Sequence, residues 1–120
     1  MDLTDTLHIA GAGMKVQDDR LRAVAENIAN ADATGTKPGE APYRRKTVTF
    51  RNVLDKELGI ETVKVVQRGY DPSDFKKKFD PSHPAADAQG YVQYPNVDTI
   101  VEMMDMQEAR RTYAANLNVV

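Results

Sequence analysis

The 120-residue sequence contains no cysteine and no tryptophan. Without cysteine there is no disulfide scaffold, no thiolate zinc site and no thiol nucleophile. Histidine is nearly absent too: His8 and His83 are the only two, which leaves little material for imidazole acid–base or metal chemistry. Aromatic residues make up 7% of the chain, a thin supply for the core of one domain of this length. No apolar run reaches the roughly 18 residues that a membrane-spanning helix needs. Charge of neither sign dominates, with 16 basic and 18 acidic residues and a net charge of −2. A nucleic-acid binder needs a clustered basic excess, which is missing. Asp2 and Asp5 stand where a secretory leader carries Lys or Arg, so no cleaved signal peptide is expected. Together these absences disfavour an enzyme.

What is present begins with a periodic N-terminus. Leu3, Leu7, Ala10, Met14, Leu21, Val24, Ile28 and Ala31 recur at alternating steps of four and three, with Gln17 the one gap. This 3.5-residue repeat predicts a narrow apolar stripe on a helix over about residues 2–33. Asp2 is its expected N-cap, and Asp5 suits the positive end of the helix dipole. Gly11 and Gly13 weaken the middle but allow a neighbouring backbone to come close. A helix of this length spans roughly 45 Å at 1.5 Å per residue. So long a rod buries poorly in a small body, which favours partners outside the chain.

Asn, Asp, Thr and Gly between Asn30 and Gly35 end the helix. Residues 34–42, with Gly35, Pro38, Gly39 and Pro42, read as a linker. Residues 1–33 carry a net −3 and residues 34–51 a net +4, so charge is segregated along a nearly neutral chain. From Tyr43 the period changes to two. Thr47–Phe50, Thr62–Val66 and Tyr91–Tyr94 are strand candidates, with a helical turn expected at Asn52–Leu58. They outline a small β-rich region at 43–95, in which Lys76–Lys78 read as a solvated turn. A second helix is expected over 96–120, capped by Asn96, with Met103, Met106, Tyr113 and Leu117 on one broad face. The fold class is therefore α+β: two terminal helices and a small β-rich middle.

Several segments then resemble one family. Ala25-Glu26-Asn27-Ile28-Ala29-Asn30-Ala31-Asp32 is similar to a signature near the N-terminus of the axial proteins of the bacterial flagellum. Phe79-Asp80-Pro81-Ser82-His83-Pro84, Tyr94-Pro95-Asn96-Val97 and Arg111-Thr112-Tyr113-Ala114-Ala115-Asn116 narrow the likeness to the proximal rod proteins of the basal body. The resemblance implies terminal helices that pair in a coiled-coil-like inner domain around a channel, with the β-rich region outside. It implies a structural subunit that carries torque across the periplasm, without cofactor, catalytic residue or metal. Expected partners are other rod proteins, further copies of the chain, inner basal-body components and, in transit, the flagellar export apparatus.

On this reading Leu3, Leu7, Met14, Leu21, Val24 and Ile28 pack against Met103, Met106, Tyr113 and Leu117 of neighbouring subunits. Asn27 and Asn30 fix how the helix end meets the linker or an adjacent subunit. Arg44-Arg45-Lys46 is a charged strand edge whose functional alternative is docking on acidic neighbours. Two other classes stay open: a helical adaptor or filament subunit outside the flagellum, and a metal-dependent hydrolase using Asp80, His83 and Asp87.

Overall fold

A computed structural model describes residues 2–120 of the chain. The elements run α1 (Leu3–Ala29), β1 (Lys46–Asp55), β2 (Ile60–Tyr70), β3 (Lys76–Phe79), β4 (Tyr91–Tyr94) and α2 (Thr99–Val119). The molecule is elongated, 64 × 26 × 17 Å, because α1 forms its spine. Asp2 caps α1 as expected, its Oδ1 accepting the Asp5 N–H at 2.8 Å. The helix stops at Ala29, where the Asn30 side chain turns back to donate to the Glu26 carbonyl at 2.9 Å.

The two helices pack antiparallel, since Gly13 lies against Asn116 while Asn27 reaches Glu102. On the other side of α1 lies a long two-stranded hairpin, β1–β2. Lys46 pairs with Glu26 at its base, and Arg68 pairs with Asp19 further along, so the hairpin runs back towards the start of α1. A bulge between Thr49 and Phe50 shifts its register. The helical turn expected at Asn52–Leu58 does not form: residues 52–55 continue β1, and only 56–59 turn. Cross-strand pairing of Val53 with Thr62 and Leu54 with Glu61 outweighs the local preference.

A second two-stranded sheet, β3–β4, closes the far end. Lys76–Phe79 is thus a strand, although an exposed one. Two of its three lysines are occupied: Lys76 Nζ donates to the Val97 carbonyl at 2.7 Å, and Lys78 lies over the Tyr94 ring. Phe79 and Tyr91 meet edge to face at 5.4 Å. Gly90, at φ +88°, makes the turn into β4, and a Cβ there would come within 2.9 Å of the Phe79 ring. The cap of α2 is Asp98, not Asn96; its carboxylate accepts the Ile100 and Val101 N–H groups. Asn96 instead ties down the chain just before β1, where its Oδ1 accepts the Arg45 N–H at 2.8 Å.

The apolar core is thin. Among the described residues, the buried apolar side chains are Ala10, Val16, Val24, Val92, Val97 and Ala109, with no Leu, Ile, Met or aromatic ring. Glu102, Val92, Asn27 and Pro95 are the largest fully buried side chains. Where larger residues would be expected, polar groups hold the middle of the molecule.

Candidate functional site

The face of α1 that meets α2 runs Ala10, Gly13, Gln17, Arg20, Val24 and Asn27, again at steps of three and four. It coincides with the apolar stripe only at positions 10, 17 and 24. At the others the seam takes Gly13, Arg20 and Asn27, one residue before Met14, Leu21 and Ile28. The facing row of α2 includes Glu102, Asp105, Ala109 and Asn116. Small residues let the helices approach: a Cβ on Gly13 would lie 2.7 Å from the Asn116 amide nitrogen. Gln17, a gap in the apolar repeat, is buried here and accepts from Arg20.

Charge and amide groups then fasten the seam. The Arg20 guanidinium bonds Asp105 and, at 3.2 Å, Glu108. Asn27, 1% exposed, uses its whole hydrogen-bonding capacity. Its Nδ2 donates to the Lys46 carbonyl at 3.0 Å and to Glu102 Oε2 at 3.4 Å. Its Oδ1 accepts the Lys46 N–H at 2.8 Å and the Tyr43 hydroxyl at 2.7 Å. Burial raises the pKa of Tyr43, which keeps the hydroxyl protonated and able to donate.

Glu102, also 1% exposed, accepts from the Arg45 Nε. Burial alone would make Arg45 easier to deprotonate, but its bonds and charge contacts with Glu102 and Asp71 outweigh that and raise its pKa. Asp71 is held below the ordinary carboxylate range, first by the Ser73 backbone N–H and then by the Ser73 hydroxyl, with Arg45 adding to it. Arg44 donates to the Asp71 and Ser73 carbonyls at 2.7 and 2.9 Å and stacks over Phe75. Both arginines of the basic run are thus engaged within the chain. Of this network Asn27, Arg44 and Arg45 stand out in the sequence; Tyr43, Asp71 and Glu102 do not, because their partners are remote along the chain.

The larger apolar residues of both helices remain outside this seam. Leu3 is 72% exposed, Met103 57% and Leu117 51%; Leu7 is also exposed, while Met14, Leu21, Ile28, Met106 and Tyr113 are half-buried. Arg20, Asp105 and Glu108 line one groove with Val48 and Phe50 of the hairpin, which marks the hairpin side of the pair. Met14, Leu21 and Ile28 each follow a seam residue, a rotation of about 100° away from that side. Met106, Tyr113 and Leu117 likewise lie across the α2 seam from Asp105 and Glu108. The two apolar rows therefore flank the seam on one side, away from the hairpin. Within the chain they run side by side along the flank.

Asp80, His83 and Asp87 do not converge. No group of three or more potential metal-binding side chains is found among the described residues. His83 Nδ1 accepts the Ala85 N–H, and its Nε2 lies 3.2 Å from the Thr34 hydroxyl. The Asp87 carboxylate accepts the Tyr91 and Gln89 N–H groups, and the bond from Tyr91 does most to lower its pKa. These residues shape turns. Among the described residues no helix is long and apolar enough to cross a membrane.

Residues 88–120 match the family described as flagellar basal body rod FlgEFG protein C-terminal. The chain is 56% identical over 112 residues to the flagellar basal-body rod protein FlgC of Agrobacterium fabrum, covering 93% of this chain and 81% of that one. It is 42% identical to the protein of the same name from Yersinia enterocolitica, over all of this chain and 89% of the relative. With that of Bacillus subtilis it shares 35% identity over 96% of this chain and 87% of the relative. The likeness runs along nearly the whole chain, so this chain belongs to the FlgC family of flagellar basal-body rod proteins and is a structural subunit of the basal body.

Proposed function

We propose that the chain builds the proximal rod, crosses the periplasm around the export channel, and passes motor torque to the hook. One observation carries this reading: both helices leave their large apolar rows on one flank while a small and polar seam joins them. Each Leu or Met on that flank contributes roughly 1.5–3 kcal/mol once a neighbour buries it. In this proposal residues 1–33 and 96–120 form the inner domain of the rod, and 43–95 face outwards. Neighbouring helices from other rod proteins or further copies lie on the flank in coiled-coil-like contacts that continue as a helix without closing a ring. Asn27, Asn30, Arg44 and Arg45 hold the helix end and linker in the shape that meets the neighbour. Stiffness under torque follows from the close packing of many such contacts. The chain reaches its place through the flagellar export apparatus.

The test uses Met103→Glu with Leu117→Glu, two exposed positions on the flank. The isolated chain keeps its unfolding free energy within about 0.5 kcal/mol, as surface changes do. In cells lacking their own copy, the double variant fails to support rod assembly and swimming. Normal assembly and motility with this variant would overturn the proposed contact.

A further inference from the structure

The Asn27 amide does for one residue of β1 what a third strand would do for several. Its Oδ1 accepts the Lys46 N–H and its Nδ2 donates to the Lys46 carbonyl, so both backbone groups of Lys46 face away from β2. Arg45, one residue before, faces the other way, its carbonyl accepting the Asp71 N–H at 2.9 Å. Residues of an antiparallel strand alternate between these two directions. The register shift at the bulge skips Val66 on β2 and no residue on β1, so the alternation of β1 runs on unbroken. Val48 and Phe50 therefore turn their N–H and C=O groups to the same outer edge as Lys46. Among the described residues no third strand pairs there, and no loop backbone bonds to either residue.

Along this edge runs the groove beside the helix seam, about 410 Å³, lined by Val48 and Phe50 of β1, Ala23 and Val24 of α1, and the Arg20–Glu108 pair. Among the described residues α2 does not pack against β1, which leaves the groove open. From Lys46 to Phe50 the edge measures about 13 Å at roughly 3.3 Å per residue, enough for a short strand. Arg20 is shared by Asp105 and Glu108, so the seam keeps one negative charge in excess here, and the Glu108 side chain is 68% exposed. The other cations of the groove have acids of their own: Arg45 bonds Glu102 and Asp71, and Lys46 bonds Glu26. An unpaired strand edge is a template for another strand, and the excess charge favours a basic one.

We propose that a neighbouring subunit lays an extended, basic segment along β1 as a third strand. Two of its residues exchange backbone hydrogen bonds with Val48 and Phe50, continuing the pattern that Asn27 begins at Lys46. Because Asn27 already fills the Lys46 position, the added strand starts at Val48 and its register is fixed at that end. Residues directly opposite each other share a face, so one side chain of the segment lies beside Val48 and Val24 and is apolar. The other lies beside Phe50, towards the start of α1, and its positive charge meets Glu108. The proposal rests on the reading of the chain as an assembling subunit, and adds a backbone contact on the hairpin side to the apolar flank.

The isotope-labelled full chain is titrated with the peptide acetyl-Thr-Lys-Thr-Val-Thr-amide to millimolar concentration while its backbone amides are followed by NMR. The Val48 and Phe50 N–H signals should move downfield as they gain partners, while those of Thr47 and Thr49, already bonded to β2, move little. N-methylation of the peptide's Lys and Val removes the donors aimed at β1 and lowers the affinity about tenfold. N-methylation of its middle Thr, whose N–H points away from β1, leaves the affinity within about twofold. Val48→Pro deletes an outward donor and no bond of the hairpin ladder, so the chain keeps its urea midpoint and loses the binding. Glu in place of the peptide's Lys weakens binding about tenfold. No response at Val48 and Phe50, equal effects of the two N-methylations, or equal binding of the Glu peptide would overturn the proposal. Each of these failures leaves the apolar flank untouched, because that flank is probed separately at Met103 and Leu117.

Discussion

Removing the Arg45 guanidinium leaves Glu102 as a buried charge without its cation. The Glu102 side chain is 1% exposed and that of Arg45 28%. Breaking a fully buried pair costs about 3–5 kcal/mol, mostly from the stranded charge. Water reaches the Arg45 side, and Asn27 Nδ2 still donates to Glu102 at 3.4 Å, so the expected loss for Arg45→Ala is smaller, about 2–3 kcal/mol. That is a large share of the roughly 5–15 kcal/mol that holds an ordinary domain together. Replacing both partners with apolar residues, Arg45→Met with Glu102→Leu, removes the charge and the need for it. That double variant should recover most of the loss and stay within about 1 kcal/mol of the parent. Urea unfolding followed by circular dichroism at the helical band measures each free energy, and adding the single variants Arg45→Met and Glu102→Leu to the parent and the double variant completes a double-mutant cycle. A single-variant cost below about 0.5 kcal/mol, as for an exposed ion pair, would refute the reasoning. A double variant as unstable as Arg45→Ala would refute it as well.

Two further outcomes follow from local geometry. A Cβ added at Gly11 would meet open space, so Gly11→Ala should stabilise α1 by about 0.5–1 kcal/mol in thermal unfolding. Gly13→Ala gains the same propensity but pushes the Asn116 amide out of place, so its net effect should fall below that of Gly11→Ala. Equal gains at both positions would contradict the close approach of the helices. Asp71 and Asp87 have pKa values below the ordinary 3.8 in the folded chain. Their stabilisation is complete above that value and disappears as pH falls through the lower folded values. Asp71→Asn should therefore flatten the acid limb of the stability–pH curve while leaving its shape near neutrality unchanged. An acid limb identical to that of the parent would remove Asp71 from the account.

Much of the local structure was legible in the residues. Asp2 begins α1 because its side chain reaches the Asp5 N–H three residues on, and such caps need only short-range geometry. The β-branched residues of 47–50 and 62–66 do lie in strands, and 91–94 forms the third expected one. The errors came where partners were distant. Asn96 looked like a helix cap, but the Arg45 backbone and the Asp71 and Ser73 carbonyls claim its amide. Lys76–Lys78 looked like a turn because nothing nearby shows that Tyr91–Tyr94 would pair with it.

The deepest difference lies in α1. The sequence by itself determined that a helix forms and that it carries an apolar stripe repeating every three and four residues. It also determined that the chain lacks the groups for thiol chemistry. Only the tertiary structure decided which of two nearly coincident rows becomes the seam. The rows share positions 10, 17 and 24, and diverge by one residue at Gly13 or Met14, Arg20 or Leu21, and Asn27 or Ile28. Glycine lets the backbones close, and Arg20 and Asn27 find Asp105 and Glu102, 85 and 75 residues away. Those contacts turn the helix by the width of one residue, and the apolar row faces outwards because the polar row is the one whose partners this chain supplies.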